Sequence, residues 1–159
     1  MLLGWIAAAT AAEPTIEVTD TGAVRGAVFV AAPAGQIRAL LLDAPARIAV
    51  LGGAGTTATF EPDGPCVLEH TFAPNAIRSV RYTVRSCPSD AGLLGTLVQS
   101  DDLARLTSAW VVSAADGGAW VTYELDAAPT FPLPAFVVRA GTKAGVSDAL
   151  AALARHFAR

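Results

Sequence analysis

Short runs of alternating apolar and polar residues fill the middle of the chain and are separated by turn residues. The clearest is Val80-Arg81-Tyr82-Thr83-Val84-Arg85, in which the two kinds of side chain strictly alternate. Because neighbouring side chains on a strand point to opposite faces, Val80 and Tyr82 should face a core and Arg81 water. The pattern predicts an antiparallel meander of six strands: Thr56–Glu61, Val67–Phe72, Ser79–Cys87, Leu94–Ser100, Ser108–Ala114 and Ala119–Ala127.

The chain before this meander contains two β-rich runs followed by two short helical ones. Thr15–Val18 and Ala23–Ala31 are rich in residues that favour strands and are separated by a turn signal. A first short helix is predicted to begin at Pro33 and to end at Asp43-Ala44-Pro45, because a residue before proline disfavours the helical region. A second short helix is predicted at Arg47–Leu51.

The last segment, Ala135–Arg159, has no proline and predicts a long amphipathic helix. Its apolar face is predicted to contain Phe136, Ala140, Ser147, Leu150, Ala151, Ala154 and Phe157. A sheet and a long helix each have one apolar surface to bury, and packing one on the other buries both. We therefore predict an α+β fold with a curved antiparallel sheet wrapped around the C-terminal helix and two short helices after the first strand.

The Asp116-Gly117 dipeptide predicts a two-residue type I′ turn and thereby the register of a hairpin. That register pairs Trp110 with Tyr123 and Val112 with Val121. Glu124 is charged and should point to solvent, so the four paired residues should face inward, because side chains alternate between the two faces.

Composition narrows the class of protein. The 159 residues are 53% apolar and 16% charged, which fits one well-packed domain, residues 13–159, and excludes intrinsic disorder. The net charge of −3 argues against a nucleic-acid partner, which would require a basic face. Apolar runs are too short to span a bilayer, so we expect no stable membrane insertion. We also expect the protein to be a monomer.

The N-terminal segment, residues 1–12, is uncharged and resembles a signal peptide. Ala9-Thr10-Ala11 has the small-x-small form of a signal-peptidase site, although Lys and Arg are missing before the apolar stretch. The segment favours export to the periplasm or the exterior. A short buried helix or a frayed end in a cytoplasmic protein is the alternative.

Cys66 and Cys87 are the two cysteines of the chain and lie on consecutive predicted strands. Pairing Glu69 with Arg81 puts Cys66 opposite Val84, and a shift of about three residues would bring the sulfurs within bonding range. We predict a disulfide, with two free thiols as the alternative. Two cysteines without clustered histidines make no zinc site, and we expect neither metal nor cofactor.

Three local motifs carry a resemblance to a known superfamily. They are Ile37–Asp43 (I-R-A-L-L-L-D) after an opening strand, Asp116–Leu125 (D-G-G-A-W-V-T-Y-E-L), and Pro132-x-Pro134 ahead of Phe136. From about Ile16 to Phe157 the chain resembles the helix-grip superfamily of START domains, polyketide cyclases and coenzyme-Q-binding proteins. The resemblance implies an apolar cavity between sheet and helix that holds sterols, phospholipids, quinones or polyketides. Its members share no catalytic residue, so none is carried over.

The inward-facing residues would form the wall of such a cavity. The predicted ligand-binding residues are Leu68, His70, Phe72, Val80, Tyr82, Trp110, Val112, Val121, Tyr123, Phe136, Ala140 and Leu150. Without a void the same side chains would be an ordinary filled core.

Two sets of polar residues have more than one interpretation. His70 alternates with Leu68 and Phe72 and is predicted to face inward as a core or pocket histidine. A general base and a solvent-facing position are the alternatives, and the sequence offers no partner for a general base. Arg139 and Lys143 lie near the start of the last helix. They would either extend to the rim or meet an anionic head group at the cavity mouth.

The function predicted from these features is binding of an apolar small molecule such as a lipid, without catalysis, with transport as a use of that binding. The alternative on the same fold is an enzyme of the aromatase/cyclase type, for which His70 would be the residue to test. A third interpretation is an interaction module with a filled core.

Overall fold

The computed structural model describes residues 12–74 and 78–158. The predicted signal segment therefore lies outside the described residues, except for Ala12. Elements in the described part follow in the order β1 (Thr15–Val18), β2 (Val24–Val30), α1 (Ala34–Leu42), α2 (Ala44–Leu51), β3 (Thr57–Asp63), β4 (Cys66–Ala73), β5 (Val80–Pro88), β6 (Gly92–Gln99), β7 (Leu103–Ala115), β8 (Gly118–Pro129) and α3 (Ala135–Phe157).

The strands form one antiparallel sheet in the order β1-β2-β8-β7-β6-β5-β4-β3. β2 pairs with β8, so the chain returns to its first hairpin after the meander is complete. Helices α1, α2 and α3 lie on one side of the sheet, which we call the inner face. The predicted α+β fold is confirmed, with eight strands in the described residues. No helix in residues 12–74 and 78–158 is long and apolar enough to cross a membrane.

The β7–β8 hairpin has the predicted register. Trp110 pairs with Tyr123 and Val112 with Val121. The Trp110 and Tyr123 rings stack with their centroids 4.0 Å apart and their planes 7° from parallel. The predicted turn type is wrong. A type I′ turn needs positive φ at both central residues, and of Asp116 and Gly117 only Gly117 has it, at 76°. The two-residue loop length sets the register without that turn type.

The C-terminal part of α3 packs tightly on the inner face. Val146, Leu150 and Leu153 have no exposed surface. They approach β2 at Gly26, where a Cβ atom would lie 2.5 Å from Leu150 Cδ1 and 2.8 Å from Val146 Cγ1. The missing side chain of Gly26 therefore permits the close contact of helix and sheet.

A disulfide joins Cys66 at the start of β4 to Cys87 near the end of β5, and the prediction of this bond is confirmed. Glu69 pairs with Val84 and not with Arg81, which is the three-residue shift that the bond requires. The Cα atoms are 4.3 Å apart, and the cysteines are separated by 21 residues in the sequence. Loop entropy alone gives such a bond about 3 kcal/mol of stabilisation.

Replacing Gly26 with alanine should destabilise the protein by about 1–3 kcal/mol, because the added methyl group overpacks the contact with Leu150 and Val146. Gly141→Ala is the matched control. A Cβ at Gly141 meets nothing within 4 Å, and alanine favours the helix by about 0.5–1 kcal/mol. Urea denaturation measures both variants. Equal effects of the two substitutions would contradict the packing argument.

Candidate functional site

Six of the predicted cavity residues lie on the inner face. They are Val80, Tyr82, Trp110, Val112, Val121 and Tyr123. Trp110, Val112 and Val121 are buried in the main core, and Tyr123 packs against it. Whether these residues bind a ligand stays a prediction.

Leu68, His70 and Phe72 lie on the outer face, so their predicted inward orientation is wrong. Each pairs directly with an outward-facing residue of β5. The His70 side chain is 41% exposed, with Nδ1 2.9 Å from Thr83 Oγ1 and Nε2 3.5 Å from Glu61 Oε2. His70 therefore cannot act on a molecule held between the sheet and α3.

The orientation of β4 is reversed by a buried charged residue. Glu69, only 5% exposed, faces inward and accepts hydrogen bonds from Arg47 of α2 and from Ser86 of β5. Arg47 also donates to the carbonyl of Leu41 at the end of α1. A paired and hydrogen-bonded charge is tolerated in a core, whereas hydropathy alone places it in water. One feature of the sequence could have indicated this buried pair: Arg47 is the single charged residue of α2, which is otherwise composed of apolar residues and proline.

The inward face of α3 also differs from the prediction. Phe136 is 72% exposed and Ala140 is exposed, while Leu150 is fully buried in the packed core and does not line an open cavity. Residues one helical turn apart lie on the same face, so the inward face marked by Leu150 and Val146 continues through Thr142 and Val138. Most residues of the first half of α3 are small, so the one large apolar residue there, Phe136, was taken to mark the inward face. It lies on the exposed side of the helix.

An open cleft lies between the first half of α3 and the ends of β2, β7 and β8. Its volume is about 480 Å³, within the usual range of roughly 300–1,000 Å³ for small-molecule sites. Its apolar lining includes Val24, Leu125, Ala127, Phe131, Leu133 and Val138. The polar residues among its lining are Arg105, Asp126, Thr130, Arg139 and Thr142. None of these residues belongs to the predicted ligand-binding set, although Arg139 was predicted to lie at the rim or at the cavity mouth.

The region under α2 is nearly filled. A cavity of about 30 Å³ there is lined by Arg47 and Ser86 together with apolar side chains. That volume suits a single water molecule rather than a lipid. The larger open space beside the helices is therefore at the first half of α3.

Two phenols belong to the inner face. Burial raises the pKa of Tyr82, and the negative charge of Glu69 raises it further. Burial also raises the pKa of Tyr123, with a second contribution from Tyr82, although the cation of Arg47 acts in the opposite direction. Both phenols are neutral hydrogen-bond donors at physiological pH.

A second depression of about 460 Å³ lies on the outer face. Thr59, His70 and Thr83 form one side of it, and Phe72 with the Arg81 guanidinium 4.6 Å above its ring forms the other. No helix covers it, whereas the cleft beside α3 lies between a helix and the sheet. We therefore take the cleft beside α3 as the candidate site.

Solved structures share this architecture. A START-superfamily protein from Mycobacterium smegmatis is 17% identical over 85% of this chain and 96% of its own, with a TM-score of 0.69. A STAR-related lipid transfer protein from Xanthomonas axonopodis is 16% identical over 95% of this chain and 96% of its own, with a TM-score of 0.68. The Zhui aromatase/cyclase from Streptomyces sp. R1128 is 14% identical over 84% of this chain and 92% of its own, with a TM-score of 0.71.

These similarities establish that the chain has the helix-grip fold of START-superfamily structures, as the resemblance predicted. At such low identity they establish the fold alone. No protein-family model matches the sequence, and no curated protein is significantly similar to it.

Changing Glu69 to glutamine should cost about 3–5 kcal/mol of stability, because Arg47 then keeps a buried charge without a counter-charge. Adding Arg47→Met to that variant should recover part of the loss. The control is Asp126→Asn, which breaks the exposed pair with Arg105 and should cost about 1 kcal/mol or less. Urea denaturation gives the three values. Equal losses at Glu69 and Asp126 would contradict a buried ion pair.

The two tyrosines of the chain should resist ionisation up to pH values above their usual pKa of about 10. The folded state keeps phenolic protons that the unfolded state releases, so stability is unaffected below pH 10 and falls as the pH rises above it. Tyrosinate absorbance in native and urea-unfolded protein measures this difference. Coincident titration curves would contradict the burial of both phenols.

Proposed function

We propose that this protein binds an apolar small molecule of the lipid class in the cleft between α3 and the sheet. The observation that carries the proposal is the cleft of about 480 Å³ between α3 and the sheet, which is lined by apolar residues together with several polar ones. Each CH₂ group that a ligand buries there contributes about 0.8 kcal/mol. An apolar chain of moderate length is therefore enough for micromolar binding.

The shape of the cleft supports reversible binding. It is open at the first half of α3, where most side chains are exposed, and its wall on the sheet includes Val24 and Leu125. A ligand can enter and leave without unfolding the core. Such exchange is what a carrier requires, and we propose transport as the use of this binding.

The alternative is an enzyme of the aromatase/cyclase type, and the buried Glu69 near Tyr82 and Tyr123 is the observation that favours it. A general base needs a carboxylate oxygen free to take a proton. Both oxygens of Glu69 already accept hydrogen bonds, from Arg47 and from Ser86. Binding without catalysis is therefore the better-supported function.

We also propose that the protein is exported. The disulfide between Cys66 and Cys87 supports this location, because such bonds form and persist mainly in oxidising compartments. An exported carrier would meet its ligand outside the reducing cytoplasm.

Replacing Val138 with tryptophan should fill the cleft and weaken ligand binding at least tenfold, because Val138 lines it and the indole occupies space that the ligand needs. The probe is N-phenyl-1-naphthylamine, whose fluorescence rises in apolar sites. Native mass spectrometry of the purified protein detects any ligand retained from the expression host.

The matched control is Ala140→Trp, two residues further along α3, where the side chain is exposed and does not line the cleft. This variant should bind the probe as the unchanged protein does. If both variants bind it equally well, or if the unchanged protein does not bind it, the proposed site is wrong.

A further inference from the structure

Arg139 is a cation on the lining of the apolar cleft. It lies on α3 one residue after Val138, and its side chain is exposed at the open end. No carboxylate in residues 12–74 or 78–158 forms a salt bridge with it. An arginine fork presents several N–H donors in a plane and suits the oxygens of a carboxylate or a phosphate.

The other polar side chains of the cleft already have partners. Arg105 donates two hydrogen bonds to Asp126, of 2.9 and 3.0 Å, and the charges of this pair cancel. The hydroxyl of Thr130 donates to the Asp101 carbonyl at 2.7 Å, and that of Thr142 to the Val138 carbonyl at 2.8 Å. Of the polar side chains that line the cleft within the described residues, Arg139 is left to bind a ligand.

The electrostatic balance of the cleft therefore differs from that of the whole chain. The chain carries a net charge of −3, whereas the three charged residues that line the cleft sum to one positive charge. The first turn of α3 has no acidic side chain, so its positive dipole end is not neutralised locally. Both effects favour an anion at the open end.

We infer that the ligand is an amphiphile with an anionic head group, its apolar chain in the cleft and its carboxylate or phosphate at Arg139. This inference rests on the proposed function and specifies its ligand class. A neutral hydrocarbon or alcohol would leave Arg139 unused, and a cationic amphiphile would be repelled.

The experiment compares decanoate with decanol, which have the same chain length and differ in head-group charge. Each displaces N-phenyl-1-naphthylamine from the unchanged protein and from the Arg139→Gln, Arg139→Lys and Arg155→Gln variants. Arg155→Gln is the control, because it removes an equal charge at an exposed position of the same helix away from the cleft. Decyl phosphate, tested in parallel, separates a carboxylate head group from a phosphate.

Decanoate or decyl phosphate should bind roughly threefold to tenfold more tightly than decanol, the range for a charge-assisted contact partly screened by water. Arg139→Gln should remove this preference without changing decanol binding, whereas Arg139→Lys and Arg155→Gln should keep it. Added salt should weaken binding of the anions only.

Two results overturn the inference in different ways. Equal binding of decanoate and decanol, unchanged in Arg139→Gln, refutes the anionic head group and leaves the proposed binding function standing. Failure of the unchanged protein to bind the naphthylamine probe refutes the cleft as a ligand site and removes both proposals.

Discussion

The buried pair of Arg47 and Glu69 fixes which side chains of β4 and β5 face the core. It attaches α2 to β4, and the hydrogen bond from Ser86 extends the attachment to β5. An inward Glu69 forces its neighbours Leu68 and His70 outward, since strand side chains alternate. Because β5 pairs with β4 in the same phase, Tyr82 faces inward beside the ion pair. One satisfied polar cluster therefore determines which side chains of two strands face inward and which face water.

The cleft exists because the two halves of α3 have different side chains on the inward face. Val146, Leu150 and Leu153 fill the space down to the sheet, and Gly26 lets them approach closely. One and two turns earlier the inward positions hold Thr142 and Val138, which line the cleft. The segment 130–133 between β8 and α3 lines it as well, so the helix and this connecting segment form the cleft together.

Much of the fold could be predicted from the sequence, because its signals are local. Strict alternation identified the strands, and the two-residue Asp116-Gly117 loop fixed the register that stacks Trp110 on Tyr123. The disulfide followed from two cysteines on a predicted hairpin. Each of these inferences uses residues close together in the chain or directly paired in a hairpin.

The site was harder to predict, because it depends on contacts between distant elements. Glu69 lies inward only because Arg47, 22 residues earlier, neutralises it, and hydropathy cannot report such a partner. The face of α3 was misread because the large Phe136 dominated a pattern of small residues, yet it is 72% exposed. In the first half of α3, the informative feature was that large apolar residues are missing from the inward positions. A stretch of helix that does not fill the space above a sheet leaves a cleft, and under the proposed function the Arg139 cation beside it would select the anionic end of an amphiphile.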